Sequence, residues 1–151
     1  MTAPRARRSR PGRARAAFTL IELLVVIAVI AILAAVVAPN LFRNVGDART
    51  ATAKTQIALF GTALESYRLE NGMYPTTAQG LLALRERPTT DAPATWRAPY
   101  LQKDVPLDPW GHPYVYLAPG QHNPESYDLL SYGADGRAGG TGDNADIVSW
   151  K

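Results

Sequence analysis

The stretch "AFTLIELLVVIAVIAILAAVVAPN", residues 17–40, decides how the rest of the chain is read. Residues 18–38 carry a single charge, Glu22, and fourteen of these twenty-one residues are Leu, Ile, Val or Phe. At a helical rise of about 1.5 Å per residue the run reaches about 31 Å, close to a hydrocarbon core about 30 Å thick. Its apolar side chains favour insertion by about 4–8 kcal/mol, against about 3 kcal/mol or less for a carboxylate near one end. The segment predicts a membrane span that inserts in spite of its acid. That acid is a functional candidate, because lipid offers it no partner.

Before the span lie six arginines, at positions 5, 7, 8, 10, 13 and 15, and no acid. By the positive-inside rule this end stays in the cytoplasm and the rest of the chain crosses the membrane. Removing residues 1–17 turns the formal net charge of +3 into −3, so the basic character belongs to the leader and not to the body. Nucleic-acid binding, which needs basic residues clustered on the folded part, is excluded as a reading. There is no cysteine. A small exported domain without disulfides often relies on another staple, such as a metal or assembly with partners. Two plainer readings of the span compete. A cleaved signal peptide has a shorter apolar core of about 7–15 residues, and its best cut here, after Ala38, would put Pro39 directly behind the bond. A generic single-pass anchor would leave Glu22 merely snorkelling.

The helical signal continues beyond Pro39. Ala53, Ile57, Phe60, Leu64 and Tyr67 recur at steps of four and three, one face of an amphipathic helix. Asn71-Gly72 reads as its C-terminal cap, with Pro75 beyond. One helix is thus expected from about Phe18 to about Asn71, apolar all round in its first half and amphipathic in its second. Pro39 lies inside it and is expected to kink or locally melt it. Thr76 and Gln79 form a capping box ahead of a short helix in "AQGLLALRER". Five prolines across residues 88–111 indicate a long loop, anchored by Trp96, Tyr100 and Trp110. "PYVYLA" and "YDLLSYG" have strand composition and read as a hairpin, with "DIVSW" a short third strand. The fold class is α+β: a long N-terminal helix packed on a small antiparallel sheet.

His112 and His122 sit in turns with no supporting metal-ligand spacing, and no catalytic triad or phosphate-binding loop is visible. The loop "SYGADGRAGGTGDNADI" is more informative. Asp135, Asp143 and Asp146 fall within twelve residues among five glycines. Ca²⁺ takes about six to eight oxygen ligands, and glycines let a chain wrap around it. The spacing is neither an EF-hand nor a repeated β-helix unit. On the residues alone the loop is either a calcium site or a flexible polar loop.

The N-terminal run resembles the class III signal of type IV pilins and type II secretion pseudopilins. "NGMYPTTAQGLLAL", "LDPWGHPYVYL", "YDLLSYGADG" and the final "ADI" with "SW" resemble the major, G-type pseudopilin family of the type II secretion system. The resemblance covers nearly the whole chain after Ala16. It implies a pilin-like fold in three parts: a cleaved leader over 1–17, a transmembrane and filament-core helix over 18–38, and a periplasmic domain over 39–151. It implies cleavage between Ala17 and Phe18 by a prepilin peptidase that also methylates the new amine, although Ala17 stands where the family usually has Gly. Glu22 becomes the fifth mature residue, where the family has Glu, and is expected to pair with the Phe18 amine of a neighbouring subunit. The resemblance also implies a Ca²⁺ loop held by Asp135, Asp146 and Asp143, completed by the carbonyls of Leu130 and Thr141 or their neighbours. Implied partners are further copies of the chain in a helical homopolymer, minor pseudopilins, an inner-membrane platform and the prepilin peptidase. The implied role is structural and non-enzymatic: a short periplasmic fibre that drives folded proteins through the outer membrane. The alternatives are a type IVa pilin subunit, or a signal-anchored periplasmic calcium-dependent binding protein or enzyme.

Overall fold

The computed structural model describes residues 18–97 and 99–150, with side chains for all of these except 38–42. The leader and Ala17 lie outside the described residues. The chain divides into two compact units, Met1–Asn40 and Leu41–Lys151.

A single helix, α1, runs over Leu20–Asn71 and contributes to both units. Its helical backbone continues without interruption at Pro39, so the expected local melting is absent. In the first unit, the span Leu20–Val37 is long and apolar enough to cross a membrane, and none of it is buried. Every Leu, Ile and Val along it is exposed, from 48% at Val26 to 82% at Leu20.

In the second unit the periodic stripe of α1 becomes a core face. Ala53, Ile57, Phe60, Ala63, Leu64 and Tyr67 are all buried. The helix stops where the sequence indicates: the Gly72 N–H donates to the Arg68 carbonyl at 2.7 Å, and Gly72 takes a φ of 78° that a β-carbon resists. The capping box forms in both directions. Thr76 N–H donates to Gln79 Oε1 at 3.0 Å, and Gln79 N–H donates to Thr76 Oγ1 at 3.3 Å. The box leads into a turn and then the expected short helix, which takes 3-10 form over Leu81–Leu84. Gly80, with a φ of 61°, separates it from the turn of the box.

The sheet has order β1-β2-β3, with β1 Val115–Leu117, β2 Asp128–Ser131 and β3 Ile147–Val148, all antiparallel. Tyr116 pairs with Leu129, and both side chains join the helix stripe in one core. The proline-rich loop is anchored as expected. Trp96 Nε1–H donates to the Ala83 carbonyl at 2.9 Å, and the Tyr100 ring packs against Tyr67 at 5.1 Å.

Candidate functional site

Two regions carry the sequence-derived candidates, one in each unit. At the start of α1, Thr19 precedes the first helical residue, and its Oγ1 accepts the Glu22 N–H at 3.2 Å. The Thr19 carbonyl accepts the Leu23 N–H at 3.3 Å, closing the first turn. Thr19 and Glu22 therefore stand as N-cap and N3 residues, a capping signature legible in "TLIE" that the ion-pair reading of Glu22 leaves out. Glu22 also lies in the first turn of α1, at the positive end of the helix dipole. Phe18 and Glu22 are both exposed, and in a chain beginning at Phe18 the amine would lie one helical turn before the carboxylate.

In the second unit, buried Asp108 organises the approach to the C-terminal loop. Its Oδ1 accepts the N–H groups of Trp110 at 3.1 Å and His112 at 2.8 Å, and its Oδ2 accepts the Ser131 hydroxyl at 2.6 Å. Ser131 Oγ in turn accepts the Gly133 N–H, and the His112 Nδ1 lies 3.1 Å from the Gly133 carbonyl. His112, a turn residue in the sequence reading, thus supports the loop from below. Gly133 has a φ of 67°, and a β-carbon there would stand 2.8 Å from the Asp143 carbonyl and 2.9 Å from that of Ala145. Two loop segments close on each other at this glycine. One carries Asp135 in the 3-10 turn Gly133–Asp135, and the other carries Asp143 in Gly142–Asn144.

The three acids are on neighbouring segments but are not gathered. Among the described residues, no three His, Cys, Asp or Glu side chains form a group able to hold a metal. Asp135 Oδ1 accepts the Arg137 N–H at 3.1 Å, and Asp146 Oδ2 accepts the Gly139 N–H at 2.9 Å. Asp143 reaches helix α1 instead, where a β-carbon on Gly46 would overlap its carboxylate. Leu130 is a buried residue of β2, and Thr141 sits at the head of the second 3-10 turn, its carbonyl accepting the Asn144 N–H. One observation fits a cation: Asp146 Oδ1 is buried and has no hydrogen-bond partner. A buried carboxylate oxygen without a partner, on a loop that carries two further aspartates, suits a hard ion such as Ca²⁺.

Comparison with known proteins shows the same division. Residues 12–38 match the family model "Prokaryotic N-terminal methylation motif", and residues 40–150 match "Type II secretion system (T2SS), protein G". The type II secretion system core protein G of Pseudomonas aeruginosa is 45% identical over 77% of this chain and 81% of its own length. That of Vibrio cholerae is 44% identical over 76% of this chain and 77% of its own. The crystal structure of the major pseudopilin from the type 2 secretion system of enterohaemorrhagic Escherichia coli aligns with a TM-score of 0.61 at 38% identity. The alignment covers 74% of this chain and 95% of that one. The span, the stripe, the small sheet and these matches agree: the chain belongs to the protein G family of the type II secretion system and is a structural subunit of the pseudopilus.

Proposed function

We propose that the chain is made as a precursor in the inner membrane with its arginine leader in the cytoplasm. It is cut between Ala17 and Phe18, methylated on the Phe18 amine, and polymerised into a periplasmic fibre that drives export of folded proteins. The observation that carries this reading is the uncovered apolar span with its acid at the head. Outside lipid, side chains exposed on every face of a helix must be covered by the same surface on other copies. A carboxylate among them needs a cation at its own depth, and the cleaved N-terminus supplies one. Self-association, minor pseudopilins and an inner-membrane platform are the partners this reading requires, and the role is non-enzymatic.

The C-terminal loop is proposed to bind Ca²⁺ through Asp135, Asp143 and Asp146, with carbonyls from Leu130, Thr141 or their neighbours. The ion would supply positive charge that lets the acids converge and tie the loop to β2. The orphaned Asp146 Oδ1 supports this reading.

Mass spectrometry of the mature protein tests the processing: an N-methylated chain beginning at Phe18 is expected, and an intact Met1 or a start at Pro39 rejects it. Glu22→Leu is expected to leave the precursor inserted and cleaved but to abolish fibre assembly and export. Normal fibres from this variant would reject the pairing.

A further inference from the structure

We propose that Asn71-Gly72 is a latent self-modification site, where the Gly72 nitrogen can expel the Asn71 side-chain amide, and that the loop carrying Thr95 and Tyr100 keeps it silent. Asn71 is the one asparagine followed by glycine. The helix stop demands that pair, because Gly72 holds a φ of 78°. The same missing β-carbon leaves the Gly72 nitrogen unhindered toward the amide before it. In the reaction this nitrogen gives its proton to water and attacks Asn71 Cγ. An N–C bond forms, the Cγ–Nδ2 bond breaks, and Nδ2 leaves as ammonia with a proton returned from water. Water then opens the cyclic imide, leaving aspartate or isoaspartate.

The folded chain blocks this step at each atom involved. Asn71 is the last residue of α1, and the Gly72 proton that must be lost sits in a 2.7 Å hydrogen bond to the Arg68 carbonyl. The Asn71 amide is held at both ends. Nδ2 donates to the Tyr67 carbonyl at 2.8 Å and to the Tyr100 hydroxyl at 2.9 Å, and Oδ1 accepts the Thr95 hydroxyl at 2.9 Å. Thr95 and Tyr100 flank Trp96, which anchors their loop on the Ala83 carbonyl. While that loop is docked, Cγ is turned away from the Gly72 nitrogen, so reaction waits for a local opening. The product then works against redocking. A carboxylate has no proton to offer the Tyr67 carbonyl or the Tyr100 oxygen, and the Tyr100 hydroxyl already donates to Glu70 Oε2 at 2.9 Å.

The test follows the peptide holding Asn71 by mass spectrometry while the full chain is incubated in detergent micelles at mildly alkaline pH. The urea-unfolded chain is expected to lose ammonia at Asn71. Folded wild type is expected to react about a hundredfold more slowly, from three side-chain bonds at about fivefold each. Thr95→Ala and Tyr100→Phe are each expected to react about fivefold faster than wild type. Urea below the unfolding transition is expected to leave these folded-state rates unchanged, because the opening is local. An unfolded chain that keeps its amide overturns the site. Folded wild type that reacts as fast as the unfolded chain overturns the protection. Variants that react at the wild-type rate, or rates that climb in low urea as global unfolding does, overturn the loop as its gate. Asn71→Asp stands in for the product and is expected to speed hydrogen exchange at the Trp96 Nε1–H; unchanged exchange overturns the effect on redocking.

Discussion

Tyr67 is buried to its hydroxyl, and that hydroxyl has no hydrogen-bond partner. Burial, together with the nearby Tyr100, pushes its ionisation above the usual phenol range. A buried polar group without a partner gives up its hydration for nothing, so removing it relieves a cost. Tyr67→Phe keeps the ring contact with Tyr100 and is expected to leave stability unchanged or raise it by up to about 1 kcal/mol, read from the midpoint of urea unfolding. Asp108 is the opposite case. Its carboxylate satisfies two backbone N–H groups and a buried hydroxyl at once. Asp108→Ala is expected to cost about 3 kcal/mol, because those donors stay buried after their acceptor is gone. Neither property was legible in the sequence. The burial of Tyr67 and the bond from Ser131 to Asp108 come from chain that arrives from elsewhere, whereas the Asp108 bonds to Trp110 and His112 are local to its own turn.

At the scale of elements, the sequence carried what is local and periodic. The Ala53–Tyr67 stripe, the Asn71-Gly72 stop, the Thr76/Gln79 box and the two hairpin strands all occupy the places their spacing indicates. The departures have physical causes. The short helix expected in "AQGLLALRER" is confined to "LLAL" and is 3-10 in form, behind a Gly80 of positive φ, and the sequence alone does not say which of a glycine's conformations it will take. Of the kink or local melting expected at Pro39, the melting is missing, because helical hydrogen bonding can continue around one lost N–H. The loop is the hardest part to read. Three acids among glycines leave a calcium site and a flexible polar loop both open, and the contact of Asp143 with Gly46 links positions 97 residues apart and leaves no local signature.

For the whole molecule, Asp128 contributes to the acid limb of the second unit's stability, and Tyr114, with Tyr116 and Tyr127, to the alkaline limb. Burial opposes ionisation of Asp128. The N–H groups of His122, Asn123 and Gln121 and the His122 ring outweigh it and hold the carboxyl below its ordinary range. A depressed folded value stabilises the fold above the unfolded carboxylate range, near about pH 4, and that contribution is lost as pH falls through the folded value. Tyr114 is pushed up to about 12 by burial and by the charge of Asp108. Its contribution is complete below about pH 10 and is lost as pH rises toward the folded value. Thermal unfolding followed across pH is expected to show a plateau that falls at both ends. Asp128→Asn is expected to reduce the loss on the acid side alone.

The bare span of α1 has a consequence for how the fibre lives. Acyl chains and the leucines and valines of sister helices are nearly equivalent surroundings for such a surface, so exchanging one for the other releases little free energy. Assembly then runs close to balance, and small contributions decide it: the proposed ion pair at the head of the helix and the contacts between folded heads.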